Sequence, residues 1–424
     1  MTRKPILDKC YGFTQAEEAR QEGWYPYFRP VSTTHGTRVW IDGKEYIMAG
    51  SNNYLGLAYD PRLRDAAKKA IDDHGTSCSG SRFMNGTLSL HEELEARLAD
   101  FIGAEWALAF TTGYQTNLGA ISALMERSAH IISDKYNHAS IMDGIFLSEG
   151  FHRDIKIHRY KHADMADLEK VLSRIPEEEA KLIVTDGVFS MEGDIAKYPE
   201  IAELGEKYGA PVYLDEAHAI GVVGSSGRGT PEHWRDNGVE IGVPEITMCT
   251  FSKSFGSIGG FVAGEKEVMD YVQHHARSLI FSASMAPPQV ASVLAALDIM
   301  EEEAWRATRM REITSKMITG FRNLGFNVGI SETPIIPLII GDDTKTFAFW
   351  KAMFDMGVYT NPVISPAVPP NRALIRTSFM AIHSDEELDR ILEIAGEAGR
   401  ATGVIGGDGE RGGESIHSGR AAAG

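Results

Sequence analysis

The sequence predicts an α/β fold built on an open, mostly parallel sheet, and three observations carry this. Seven short apolar runs, at 107–110, 130–133, 155–158, 182–185, 212–214, 246–249 and 259–263, are mostly continuous rather than alternating. Strands buried on both faces read that way. From the second run to the sixth the spacing is about 25–35 residues, one strand–helix–strand unit each. Helical patterns such as 165–175 and 202–208 lie between them. The positions just past the runs are chemically rich, and open α/β sheets bind ligands beyond the carboxyl ends of their strands. The seventh run follows the sixth too closely for a crossover helix, so an antiparallel pairing is expected there.

Taken in order, residues 1–55 read as a helix and a hairpin turning at Asp42-Gly43. Residues 56–295 carry the large sheet domain. Residues 296–405 read as a smaller α+β C-terminal domain, with helices at 290–299 and 311–323 leading into it. Apolar runs follow at 335–340 and 374–377, then a helix at 385–398. The tail, 406–424, is Gly-rich and charged with few apolar residues, and reads as disordered. A chain of 424 residues suits one large domain with a smaller companion.

Composition excludes several classes. The net charge of -17 argues against a nucleic-acid footprint. It leaves room for a local basic pocket that binds an anionic substrate. Three scattered cysteines give neither a disulfide framework nor a zinc signature, and no metal is expected. Nor is there a signal-peptide core or an apolar stretch long enough to span a membrane, which predicts a cytoplasmic protein. The chain has no H-E-x-x-H string and no G-x-S-x-G elbow.

Lys253 lies in Thr250-Phe251-Ser252-Lys253-Ser254-Phe255-Gly256, downstream of Asp215-Glu216-Ala217-His218. An amine that can form a Schiff base, with a carboxylate that can keep a pyridinium nitrogen protonated, is what a pyridoxal phosphate (PLP) enzyme needs. A polar loop with an exposed lysine is the plainer alternative. DEAH is also a helicase string, but no G-x-x-x-x-G-K-[ST] loop accompanies it. Thr112-Gly113-Tyr114 after the first run would open a helix whose free N–H groups suit a phosphate, or would simply be a glycine turn. Tyr114 or His138 could stack on a pyridine ring, although a histidine so placed is more often satisfied within a core.

These runs join Ser51-Asn52-Asn53-Tyr54-Leu55-Gly56, Gly80-Ser81-Arg82-Phe83-Met84-Asn85-Gly86, Asn137-His138-Ala139-Ser140-Ile141, Gly187-Val188-Phe189-Ser190-Met191-Glu192-Gly193-Asp194 and Gly227-Arg228-Gly229. Over residues 25–405 the chain resembles the α-oxoamine synthases, PLP enzymes of fold type I (aspartate aminotransferase-like). Such enzymes condense an amino acid with an acyl-CoA and lose carbon dioxide.

The resemblance implies roles residue by residue. Lys253 would hold the cofactor and take the substrate α-proton, with His138 over the ring. Asp215 would pair the ring nitrogen, and His218, with Ser190, the ring hydroxyl. Gly113, Tyr114, Thr250 and Ser252 would hold ring and phosphate, and Ser282 would reach the phosphate of a neighbouring subunit in a homodimer with shared active sites. Arg376 would grip the substrate carboxylate, assisted by Asn53. Phe251-Ser252-Lys253-Ser254-Phe255 resembles the soluble, homodimeric bacterial members that join L-serine to palmitoyl-CoA, giving 3-ketosphinganine, CoA and carbon dioxide. Ile280-Phe281-Ser282-Ala283-Ser284 and Asn361-Pro362-Val363 point the same way. That reading allows peripheral membrane contact for product release. A glycine C-acetyltransferase-like or 8-amino-7-oxononanoate synthase-like activity, or a PLP aminotransferase or lyase, are the alternatives.

Overall fold

In a computed structural model, residues 4–152 and 154–406 are described; apart from residue 406, the tail expectation at 406–424 lies outside them. The N-terminal part carries helix Gln15–Gln21 and strands β1 (Thr33–His35), β2 (Arg38–Ile41) and β3 (Lys44–Met48). Asp42 and Gly43, with φ of 50° and 77°, make the β2–β3 turn; two successive left-handed residues give the tight turn whose twist matches the strands it joins.

The large sheet has seven strands: β4 (Trp106–Phe110), β5 (His130–Asp134), β6 (Lys156–Tyr160), β7 (Lys181–Asp186), β8 (Val212–Asp215), β9 (Ile246–Thr250) and β10 (Gly260–Gly264). Their spatial order is β4-β10-β9-β8-β7-β5-β6. Neighbours from β9 to β6 run parallel, while β10 is antiparallel to both β9 and β4. All seven runs are strands, and the close-following seventh is the reversed one. Every residue of β5, β7, β8 and β9 is buried, which is why these strands read as mostly continuous apolar runs rather than alternating ones.

The C-terminal part has an antiparallel sheet in the order β11-β14-β13, from β11 (Ile335–Gly341), β13 (Asn361–Val363) and β14 (Ala373–Ser378). The short β12 (Val358–Tyr359) leaves that sheet and pairs in parallel with β3. One apolar core therefore joins Val39, Ile41 and Ile47 of the N-terminal hairpin to Phe321, Trp350, Ile375 and Ile391. Helix Asp385–Ala401 closes this core, and Ser384 and Glu387 cap its start reciprocally. Among the described residues no helix is long and apolar enough to cross a membrane, and no cluster of three or more His, Cys, Asp or Glu side chains could hold a metal.

Candidate active site

The ends of β4, β5, β7, β8 and β9 converge on a cavity of about 310 Å³, lined among others by Gly113, His138, Asp186, Asp215, Thr250 and Lys253. Asp215 closes β8 and is 2% exposed. Its Oδ2 accepts from Asn117 Nδ2 at 2.8 Å and its Oδ1 from the Ala217 N–H at 3.0 Å. Asn117 is itself held by Tyr213 Oη, which donates to Asn117 Oδ1 at 2.8 Å. The carboxylate is thus aimed from behind by a buried polar chain.

Asp186 stands opposite Asp215 in the β7–β8 register. Burial, reinforced by the Asp215 charge, raises its pKa well above the ordinary carboxyl range. Its Oδ2 accepts the His138 N–H at 2.9 Å, so it fixes the start of helix Ala139–Phe151. His138 Nδ1 accepts from the Ser140 N–H at 3.2 Å, which leaves Nε2 as the protonated nitrogen of the neutral ring. The ring is open to the cavity. Its crowded surroundings lower its pKa, with Asp215 opposing and Lys253 adding to the effect.

Lys253 follows β9, and burial lowers its amine to about 8, against the pull of Asp215. A fraction of the amine is therefore neutral near neutral pH, as a nucleophile or base must be. The rate at which the cofactor-free protein captures PLP is expected to rise with pH to a midpoint near 8. Stopped-flow absorbance checks this; a rise continuing to pH 10 would contradict the buried setting of Lys253.

Helix Gly113–Leu124 begins at the cavity wall. The Thr112 hydroxyl accepts from the Gln115 N–H at 3.1 Å, while the N–H groups of Gly113 and Tyr114 have no helix carbonyl to meet. A Cβ on Gly113 would lie 2.5 Å from Thr250 Oγ1, so only glycine lets the helix start pack on β9 here. Thr250 Oγ1 sits 2.9 Å from Ser252 Oγ and donates to the Gly259 carbonyl at 3.0 Å. Tyr114 bonds Asp143 through its hydroxyl and lines the same cavity. Ser282 lines neither this cavity nor the next; its Oγ accepts from Gln115 Nε2 of its own chain at 3.2 Å.

A second cavity, about 640 Å³, shares His138, His218 and Lys253 with the first and adds Asn52, Ser190 and Arg376. Arg376, on β14, is 6% exposed, and its Nε donates to the Ser190 carbonyl at 2.7 Å. Its terminal nitrogens make only long contacts, 3.5 Å to Ser378 Oγ and 3.4 Å to Tyr54 Oη, so the fork remains available to a carboxylate. Tyr54 Oη also lies 2.7 Å from His218 Nδ1. Burial, then the Lys253 and Arg376 charges, lower the His218 pKa well below the ordinary imidazole value.

Asn53 is displaced from the expected place. Its Oδ1 accepts the Ala58 N–H at 3.1 Å and its Nδ2 faces Met380 Sδ, while Asn52 lines the cavity. Between Asp215 and His218, Glu216 turns away to accept the Thr230 N–H at 2.6 Å. Asn117, Ser140, Asp186, Tyr54 and Asn52 are site residues that motif reading did not single out. Tyr54, Asn52 and Ser140 lay inside quoted motifs; Asp186 had only its strand-end position as a signal.

The sequence pattern of the aminotransferase class I and II family matches residues 44–394. A serine palmitoyltransferase of Sphingobacterium spiritivorum is 46% identical over 93% of this chain and 96% of its own. The chain belongs to that family, in its α-oxoamine synthase branch. An 8-amino-7-oxononanoate synthase of Thermoanaerobacter pseudethanolicus is 42% identical over 92% of this chain and 96% of its own. The solved serine palmitoyltransferase of Sphingomonas wittichii superposes with a TM-score of 0.89 at 34% identity, covering 95% of this chain and all of that one. The donor set of this α-oxoamine synthase fits PLP. A buried carboxylate, a half-buried lysine, and a helix start flanked by two hydroxyls face one cavity, as ring nitrogen, aldehyde and phosphate require.

Proposed function

We propose that the protein is a PLP-dependent enzyme that condenses L-serine with a long-chain acyl-CoA, releasing CoA, carbon dioxide and 3-ketosphinganine when the acyl group is palmitoyl. It works as a cytoplasmic homodimer with shared sites, Ser282 reaching the neighbouring subunit's phosphate, and touches membrane at most peripherally. The observation that carries this is that two cavities share Lys253, His138 and His218, one lined by Asp215 and the other by Arg376, which supports a cofactor subsite beside an amino-acid subsite. It is supported by similarity to four serine palmitoyltransferases at 46% identity, above the 8-amino-7-oxononanoate synthases at 39–42%.

Bound there, PLP supplies an electron sink for negative charge at the amino-acid α-carbon. Asp215 keeps the ring nitrogen protonated, and the Asn117–Tyr213 pair keeps Asp215 aimed. His138 would lie over the ring, and His218, with Ser190 lining the same cavity, would hold the ring hydroxyl. Thr250, Ser252 and the N–H groups of Gly113 and Tyr114 take the phosphate. Arg376 binds the substrate carboxylate through its free fork, and Asn52 lies on the same wall. Lys253 Nζ takes the α-proton, which its lowered pKa permits near neutral pH. The carbon so activated attacks the thioester carbonyl, the CoA sulfur leaves, the carboxyl group departs as carbon dioxide, and the α-carbon takes back a proton from Lys253 Nζ.

The test is CoA release by the PLP-loaded protein across a grid of amino acids and acyl-CoAs. Release confined to L-serine with long-chain thioesters is expected. Preference for glycine, alanine or a short acyl group would overturn the substrate assignment, and no release with any pair would overturn the reaction.

A further inference from the structure

A groove of about 900 Å³ runs beside the N-terminal helix, outside the cofactor cavity. Its walls include Ala16 and Ala19 of helix Gln15–Gln21, Trp24 and Phe28 of the following strap, and Phe347 of helix Asp343–Asp355. Tyr27 and Ile364 line both this groove and the Arg376 cavity, so the two adjoin. The strap leaves large apolar side chains uncovered: Phe28 is 92% exposed and Phe13 63%. Phe28 also holds a left-handed φ of 53°, a conformation that a bulky residue seldom adopts. An apolar surface of this kind marks an interaction site.

We propose that this groove holds the aliphatic chain of the acyl thioester. The reacting carbonyl lies toward the Tyr27–Ile364 junction, and the chain runs out between Ala16, Ala19 and Phe347. This rests on the thioester-using reading above and adds the place where chain length is sensed. The occupant follows from adjacency: the groove shares Tyr27 and Ile364 with the cavity that Lys253 lines, and a substrate that reacts there with a long apolar tail has an apolar wall beside it. Nothing else in the reaction needs such a wall, since L-serine is small and its charged groups are met by Arg376 and the cofactor.

Because each buried methylene tightens binding about fourfold, the wild-type holoenzyme is expected to bind S-hexadecyl-CoA at least about 100-fold more tightly than S-octyl-CoA. These unreactive thioethers test the groove without turnover, and Trp24 fluorescence, corrected with Trp24→Phe, reports occupancy. In Ala16→Trp and Ala19→Trp, which fill the groove, the hexadecyl-to-octyl ratio is expected to fall to about tenfold or less. The absorbance change that L-serine causes in the bound cofactor, read without thioether, should persist. An undiminished ratio in both variants, or no length preference in the wild type, would overturn the proposal. So would sedimentation showing that both variants lose the dimer, because the groove would then be covered by a second copy of the chain. Length-dependent binding without CoA release from any thioester would sustain the groove and sink the reaction instead.

Discussion

Replacing Lys253 by alanine is expected to cut CoA release by at least about 10³-fold, since a positioned acid–base group alone contributes about 10²–10⁴-fold. Lys253 is the one amine lining both cavities, and its lowered pKa makes it usable as a base at neutral pH. The substitution removes charge and bulk from a site that Asp215, Asn117 and Ser140 fix independently of it. The variant should therefore fold and still bind PLP, now without a covalent link, so that gel filtration strips the cofactor. Steady-state CoA release, with far-UV circular dichroism as the folding control, measures this. Activity within about tenfold of the wild type would remove Lys253 from the reaction.

Arg376→Ala should raise the KM for L-serine by about 30-fold or more while moving the KM for acyl-CoA far less. Truncating one partner of a buried charge pair typically costs about 2–5 kcal/mol. Arg376→Lys keeps the charge but loses the planar fork, so it should recover only part of the loss. The Nε bond to the Ser190 carbonyl adds a structural share, because the 187–194 loop is held in part by that contact. A general loosening of that loop would raise both KM values together. Equal effects on the two substrates would thus deny Arg376 the carboxylate.

Much of this architecture was legible because its signals are local. Strands β5, β7, β8 and β9 are buried along their whole length, so apolar residues predominate in them without the alternation of a half-exposed strand, and each ends on a polar residue where it meets the cavity. Asp215 and the 250–253 loop announce themselves that way. What was not legible is non-local. The two-residue β12 carries no periodic signal, yet it pairs the C-terminal part with β3 across the length of the chain. The sequence-based separation of 1–55 from 296–405 does not reflect that shared core.

The contacts among Tyr54, His218 and Arg376 link three distant segments, and no spacing rule connects them. Asn52 and Asn53 differ by one position in an irregular loop without helical or strand period to say which faces inward. Ser282 was assigned to a neighbouring subunit's site; within one chain it pairs with Gln115.

The most direct test of the account measures carbon dioxide and CoA together from carboxyl-labelled L-serine and palmitoyl-CoA. The account predicts labelled carbon dioxide and free CoA in equal amounts, with no labelled carbon in the ketone product. CoA released without labelled carbon dioxide, or amino-group loss from serine without CoA, would contradict a decarboxylating condensation.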